Sequence, residues 1–132
     1  MTLEFGRPWA RAALSTAGVG GGYFAVTNTG SAPDRLVSAS TRVAETIEIH
    51  AVTVVGPDIR MRPRARGLTI PAGGTITLQP RGYHLLMTGL KTPLARGAKL
   101  AVTLVFEHAG PQQVELTVEE PGPVGEETLV ST

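Results

Sequence analysis

The chain has 132 residues, 42% of them hydrophobic, with a formal net charge of +1 and no cysteine. That length suits one domain able to bury a core unaided, and the missing thiols exclude disulfides, thiolate metal sites and cysteine nucleophiles. The near-neutral charge argues against general nucleic-acid binding, and with no run of about 18 apolar residues no transmembrane helix is expected.

In chain order, residues 1–8 read as an N-terminal extension, whose opening Met1 to Gly6 is not a signal peptide, and Pro8 to Leu14 as a first short strand. Ala17 to Gly22 reads as a flexible loop. Its three consecutive glycines precede a strand rather than a helix, which is the wrong context for a phosphate-binding loop. Tyr23 to Asn28 and Arg35 to Ser40 are strands around the turn Thr29 to Asp34. Thr46 to His50 alternates, with Ile47 and Ile49 on one face and Glu48 and His50 on the other. After Val52 to Val55 the chain turns at Gly56-Pro57-Asp58 and returns through Ile59 to Arg62. A hairpin here sets His50 opposite Met61, within a register slip of about two residues.

Pro63 to Gly67 is a basic loop, Leu68 to Ile70 a short strand, and Pro71 to Gly74 a turn. Thr75 to Leu78 alternates again before the turn Gln79 to Gly82 and the mostly apolar stretch Arg81 to Leu90. Beyond the connection Thr92 to Gly97, Leu100, Val102, Leu104 and Phe106 share one strand face. His108 to Pro111 is a turn, and Val114, Leu116 and Val118 line a last strand. Residues 119–132 show no period and are expected to be a disordered tail. Short strands between frequent turn signals predict an all-β Greek-key sandwich or barrel over residues 9–118.

Of three His and three Met, two of each fall at related points: His50, Met61, His84 and Met87. Imidazole with thioether is the donor set that suits copper(I): thioethers are neutral and soft, and imidazoles add affinity. A thiolate-free site also survives an oxidising compartment. Against this stand ordinary roles: a Met in a β-protein usually fills core, and a His near a strand end is usually surface. Zinc would need carboxylates beside the imidazoles, and Glu48 is the candidate, but the Met residues would then go unused. His108 reads as a solvated turn residue.

Val37 to Ser40, Ile47-Glu48-Ile49-His50, Met61-Arg62-Pro63, Leu68 to Gly74, Gly82-Tyr83-His84-Leu85 and Gly89 to Leu94 resemble the PCuAC family of periplasmic copper chaperones, also known as DUF461, from about Trp9 to Val118. The resemblance implies a cupredoxin-like β-sandwich and copper(I) held by a His, a Met after ten intervening residues and a later His-x-Met. It also implies a periplasmic or extracytoplasmic place and delivery of copper to the binuclear copper site of cytochrome c oxidase. Carried over residue by residue, the ligands are His50, Met61 and His84. The family's last Met position is Leu86 here, and Met87 follows one residue later. In a regular strand residues 84 and 86 face one way and 87 the other, so Met87 reaches the ion only across a bulge or an irregular loop. Weaker copper(I) binding than the full ligand set gives is the expectation.

Arg60, Arg62, Arg64 and Arg66 alternate and on an extended chain would point largely to one side. They are either a solvated edge that discourages strand pairing or a docking surface for an acidic copper-accepting partner, a cytochrome c oxidase subunit or its assembly factor. No Gly-x-Ser-x-Gly elbow or other catalytic constellation is visible, so a non-enzymatic monomer is expected. The alternative is a copper-free β-sandwich adaptor that binds its partner through the arginine edge.

Overall fold

A computed structural model describes residues 3–13, 19–64, 66–80 and 82–119, with the backbone alone for 53–55 and 58–62. Its strands are β1 (Leu3–Arg11), β2 (Gly20–Asn28), β3 (Asp34–Thr41), β4 (Ala44–Val55), β5 (Asp58–Pro63), β6 (Leu68–Ile70), β7 (Thr75–Thr77), β8 (His84–Leu90), β9 (Lys99–Phe106) and β10 (Gly110–Glu119). No helix occurs among the described residues. Seven strands run in the order β4-β8-β2-β1-β10-β9-β3, and β3 returns to β4 at Ala39 and Ile47. The sheet therefore closes into a barrel, which removes most of the free edge an open sheet would expose. β5, β6 and β7 flank it on β4, β3 and β2. The expected all-β fold is thus realised as a closed barrel.

Alternation builds the interior. Leu100, Val102, Leu104 and Phe106 of β9 are buried, as are Val114, Leu116 and Val118 of β10, while Ala101 is exposed. Fully burying each large side chain contributes about 1.5–3 kcal/mol.

Two local expectations change. The first strand starts at Leu3, so most of the expected extension 1–8 belongs to the barrel. Phe5 explains this: its ring lies 5.8 Å from Phe24, edge to face, and 6.0 Å from Phe106. A register shift between Gly6 and Trp9, with Arg7 at φ 43°, lets the strand continue past this point. Secondly, Gly20, Gly21 and Gly22 open β2 and are not a loop. A Cβ at Gly20 would meet Leu94 Cδ1 at 3.0 Å, one at Gly22 would meet Leu116 Cδ1 at 3.1 Å, and one at Gly21 would collide with the Tyr23 hydroxyl. The glycines serve close packing, not flexibility.

Turns are fixed by buried polar groups. Asn28 is 1% exposed; its Nδ2 donates to Ala32 O at 2.9 Å and Ile70 O at 3.1 Å, and its Oδ1 accepts from the Gly30 N–H at 2.9 Å. The Asp34 carboxylate accepts from the backbone N–H groups of Arg35, His108 and Ala109 at 2.7, 2.9 and 3.0 Å. Burial works against its ionisation, but these donors and the nearby His108 outweigh it and hold the carboxyl below its usual range. The His108 side chain itself is exposed. The β4–β5 hairpin turns through Gly56-Pro57, with Val55 opposite Asp58 and Gly56 at φ 59°. Proline cannot adopt positive φ, so of the two favoured hairpin turns only the one with glycine first fits. The tail expected over residues 119–132 lies outside the described residues, apart from Glu119, the last residue of β10.

Candidate metal centre

β4 and β8 pair in an unbroken antiparallel register that sets His50 against His84, Glu48 against Leu86 and Thr46 against Thr88. Strand alternation sends Ile47 and Ile49, with Leu85 and Met87, towards the core. The two histidines take the other face, and their ring centroids are 5.8 Å apart with planes inclined at 35°. His50 and His84 are nonetheless only 8% and 5% exposed. The pair is a buried polar contact on the outer wall of a barrel.

Each ring is held by one nitrogen. His50 Nε2 lies 2.9 Å from Glu48 Oε1, two residues back on the same strand face. His84 Nδ1 lies 3.0 Å from the carbonyl oxygen of Gly82. His50 Nδ1 is buried with no hydrogen-bond partner. Leaving a buried polar atom unpaired costs about 1–3 kcal/mol, so such an atom calls for a ligand or a functional reason. Burial pushes the His84 imidazole below the usual histidine range; the Gly82 carbonyl pulls the other way, and His50 adds to the lowering. A neutral ring is the form that binds metals.

The pair fits a bound ion. With metal–imidazole bonds of about 2 Å, each ring centre stands roughly 3 Å from a shared ion, and the observed separation lies within twice that. Among the described residues no group of three or more His, Cys, Asp or Glu converges to hold a metal. Two imidazoles without converging carboxylates suit a soft ion better than zinc.

The sulfur donors divide. His50 lies opposite Pro63, and Met61 opposite Val52, in the regular β4–β5 register. Position 61 is therefore diagonal to His50 on the same sheet face, the expected slip of two residues; the Met61 side chain lies outside the description. Met87 does not join the histidines. It is 0% exposed within the core, with Ile47 and Gly20 as register partners. The bulge that would redirect it is absent, because the register runs regularly from His84 to Thr88. Leu86, half-buried, lies on the His84 face, as does Thr88. Sequence reasoning also missed the Gly82 carbonyl as a partner of His84, and a backbone acceptor leaves no signal in side-chain identities.

The four arginines do not lie on one continuous strand. β5 ends at Pro63; the Arg64 N–H then donates to Ile49 O at 2.6 Å, and Gly67 N–H to Arg64 O at 2.8 Å, which turns the chain. Arg60 and Arg62 belong to β5, and their side chains lie outside the description. Arg64 and Arg66 lie beyond β5 and are exposed. The Arg64 guanidinium stands 5.8 Å over the Tyr83 ring, next to His84 in sequence. Ala51, Val52, Arg64, Gly82 and Tyr83 border an open cleft of about 390 Å³; Ala51 follows His50 and Tyr83 precedes His84 in the chain.

Comparisons with known proteins agree with this architecture. A family model described as "Putative lipoprotein LpqE-like" matches residues 3–118. The "Putative lipoprotein Lxx21020" of Leifsonia xyli subsp. xyli is 32% identical over 118 residues, covering 89% of this chain and 70% of that protein. The copper-bound PCuAC domain from PmoF2 has the same fold, with a TM-score of 0.76 at 24% identity over 92% of this chain and 95% of that domain. Apo-DR1885 from Deinococcus radiodurans matches with a TM-score of 0.64 at 32% identity, over 86% of this chain and 75% of that one. By sequence and by fold together, the chain belongs to the LpqE-like family and is built as a barrel of the PCuAC type.

Proposed function

We propose that this protein is a copper(I)-binding metallochaperone whose cargo sits between His50 and His84, with Met61 as the sulfur donor. The observation that carries the reading is the buried cross-strand imidazole pair with one nitrogen unpartnered, on a fold shared with a copper-bound domain. Neutral nitrogen and thioether donors favour copper(I), and a weak neutral set near the surface allows release by ligand exchange, which suits a carrier rather than an enzyme.

The acceptor is an acidic protein, and delivery to the binuclear site of cytochrome c oxidase is the destination the PCuAC resemblance implies. Arg64 supplies positive charge at the cleft and Arg66 is exposed two residues on, which supports steering of such a partner; Arg60 and Arg62 belong to the same basic segment of the sequence. An extracytoplasmic site of action agrees with the lipoprotein name of the relative. Among the described residues no helix is long and apolar enough to cross a membrane.

The exposed Arg64 over Tyr83 also favours a second reading, a copper-free adaptor that docks through this edge. A competition titration against a copper(I) chelator separates the two. The carrier binds one copper(I) per chain and loses it in His50→Ala and His84→Ala. An adaptor binds none, and its partner affinity ignores both substitutions.

A further inference from the structure

The two histidines are held by unlike nitrogens. A carboxylate and a backbone carbonyl can only accept hydrogen bonds. Glu48 Oε1 therefore takes the Nε2–H of His50, and Gly82 O takes the Nδ1–H of His84. In neutral rings the lone pairs are left on the opposite atoms, Nδ1 of His50 and Nε2 of His84. The first of these is the buried nitrogen without a partner.

We infer that Glu48 is a positioning residue, and that with Gly82 it holds the pair in opposite tautomers, presenting Nδ1 of His50 and Nε2 of His84 to the cargo. The donor atoms follow from the strand geometry. Glu48 and His50 are two residues apart on β4, so their side chains leave the same face and meet alongside the strand. That contact occupies Nε2 of His50 and leaves its buried Nδ1 without a hydrogen-bond partner. His84 is the first residue of β8, and the carbonyl two residues before it belongs to the turn. That carbonyl occupies the nitrogen nearer the backbone and leaves the distal one free. A partner carboxylate on a metal-binding imidazole fixes the ring and raises its basicity. Glu48 does this while itself 57% exposed, so it orients His50 without becoming a buried charge.

The inference rests on the copper reading for the identity of the cargo but not for the tautomers. The test is long-range ¹H–¹⁵N correlation of the imidazoles in the full chain, without metal and then with one equivalent of copper(I). The metal-free protein is expected to show His50 protonated at Nε2 and His84 at Nδ1. Copper(I) is then expected to shift Nδ1 of His50 and Nε2 of His84 while both N–H groups persist. The same tautomer in both rings, or copper(I) shifting Nε2 of both, overturns the inference. Opposite tautomers with no shift on adding copper(I) support the tautomer assignment and remove the copper reading. Glu48→Ala is expected to speed exchange of the His50 Nε2–H with water and to weaken copper(I) binding by about 10–100-fold. Glu48→Gln, which keeps an acceptor oxygen, is expected to restore most of both. Unchanged exchange and affinity in Glu48→Ala overturn the positioning role.

Discussion

His84 and Met87 lie on opposite walls of β8, one paired with His50 outside the barrel, the other fully buried within it. Three residues along a regular strand reverse the side-chain direction, and no bulge intervenes. Met87→Leu should therefore leave copper(I) affinity within about twofold of the parent, because a volume-conserving core change costs less than about 1.5 kcal/mol of stability. Met87→Ala should lower stability by about 2–5 kcal/mol in a urea melt. A large loss of affinity in Met87→Leu, with unchanged stability, would place its sulfur at the metal after all.

Leu86 occupies the position on the His84 face that Met87 does not reach, opposite Glu48. Leu86→Met adds a thioether there at nearly constant volume. Copper(I) affinity should rise by about tenfold or more, the effect of one added soft donor worth roughly 1.4 kcal/mol. The same chelator competition reads it, and an unchanged constant would mean that this position does not face the ion.

Protonation of His84 should be visible in stability. Its folded value lies below the ordinary 6.5, chiefly through burial. The unfolded chain therefore takes up the proton first as pH falls. The contribution is complete above about 6.5 and is lost as pH falls from there through the lowered folded value. Urea midpoints of the metal-free protein should decline through this window, and the decline should be shallower in His84→Asn. Equal slopes in the two proteins would contradict the buried, neutral ring.

Asp34 titrates in a separate, more acidic window. Its folded value lies below the ordinary 3.8, so its contribution is present above that pH and disappears as pH falls through the lowered value. Asp34→Asn turns an amide group towards the N–H donors of Arg35, His108 and Ala109. A loss of about 1–3 kcal/mol at neutral pH is expected, with a smaller difference from the parent near pH 3. Thermal melts at the two pH values check it.

Arg64 should act on association rather than on copper. Arg64→Glu reverses the charge over Tyr83, and the association rate with an acidic acceptor should fall most at low ionic strength. Stopped-flow rates at two salt concentrations measure this; a salt-independent rate in the parent protein would remove the docking role.

What could be read in advance follows physical range. Leu100 to Phe106 and Val114 to Val118 declare their buried faces because strand alternation is local. The His50–Met61 offset was legible for the same reason, from a tight turn and a two-residue period. The role of Gly20 to Gly22 was not, because it depends on Leu94, Leu116 and the Tyr23 hydroxyl packing against them. The strand character of Leu3 to Arg7 was hidden likewise, since Phe5 finds its partners in Phe24 and Phe106. The imidazole and thioether donors could be picked out by residue type, but the inward turn of Met87 required the register of β8 against β4.

The most direct measurement is X-ray absorption at the copper edge of the copper(I)-loaded protein and its Met61→Leu and Met87→Leu variants. The account predicts imidazole scattering from two rings and one sulfur in the parent, with the sulfur lost in Met61→Leu and retained in Met87→Leu. Sulfur that survives Met61→Leu but vanishes in Met87→Leu, or a spectrum without imidazole scattering, would contradict it.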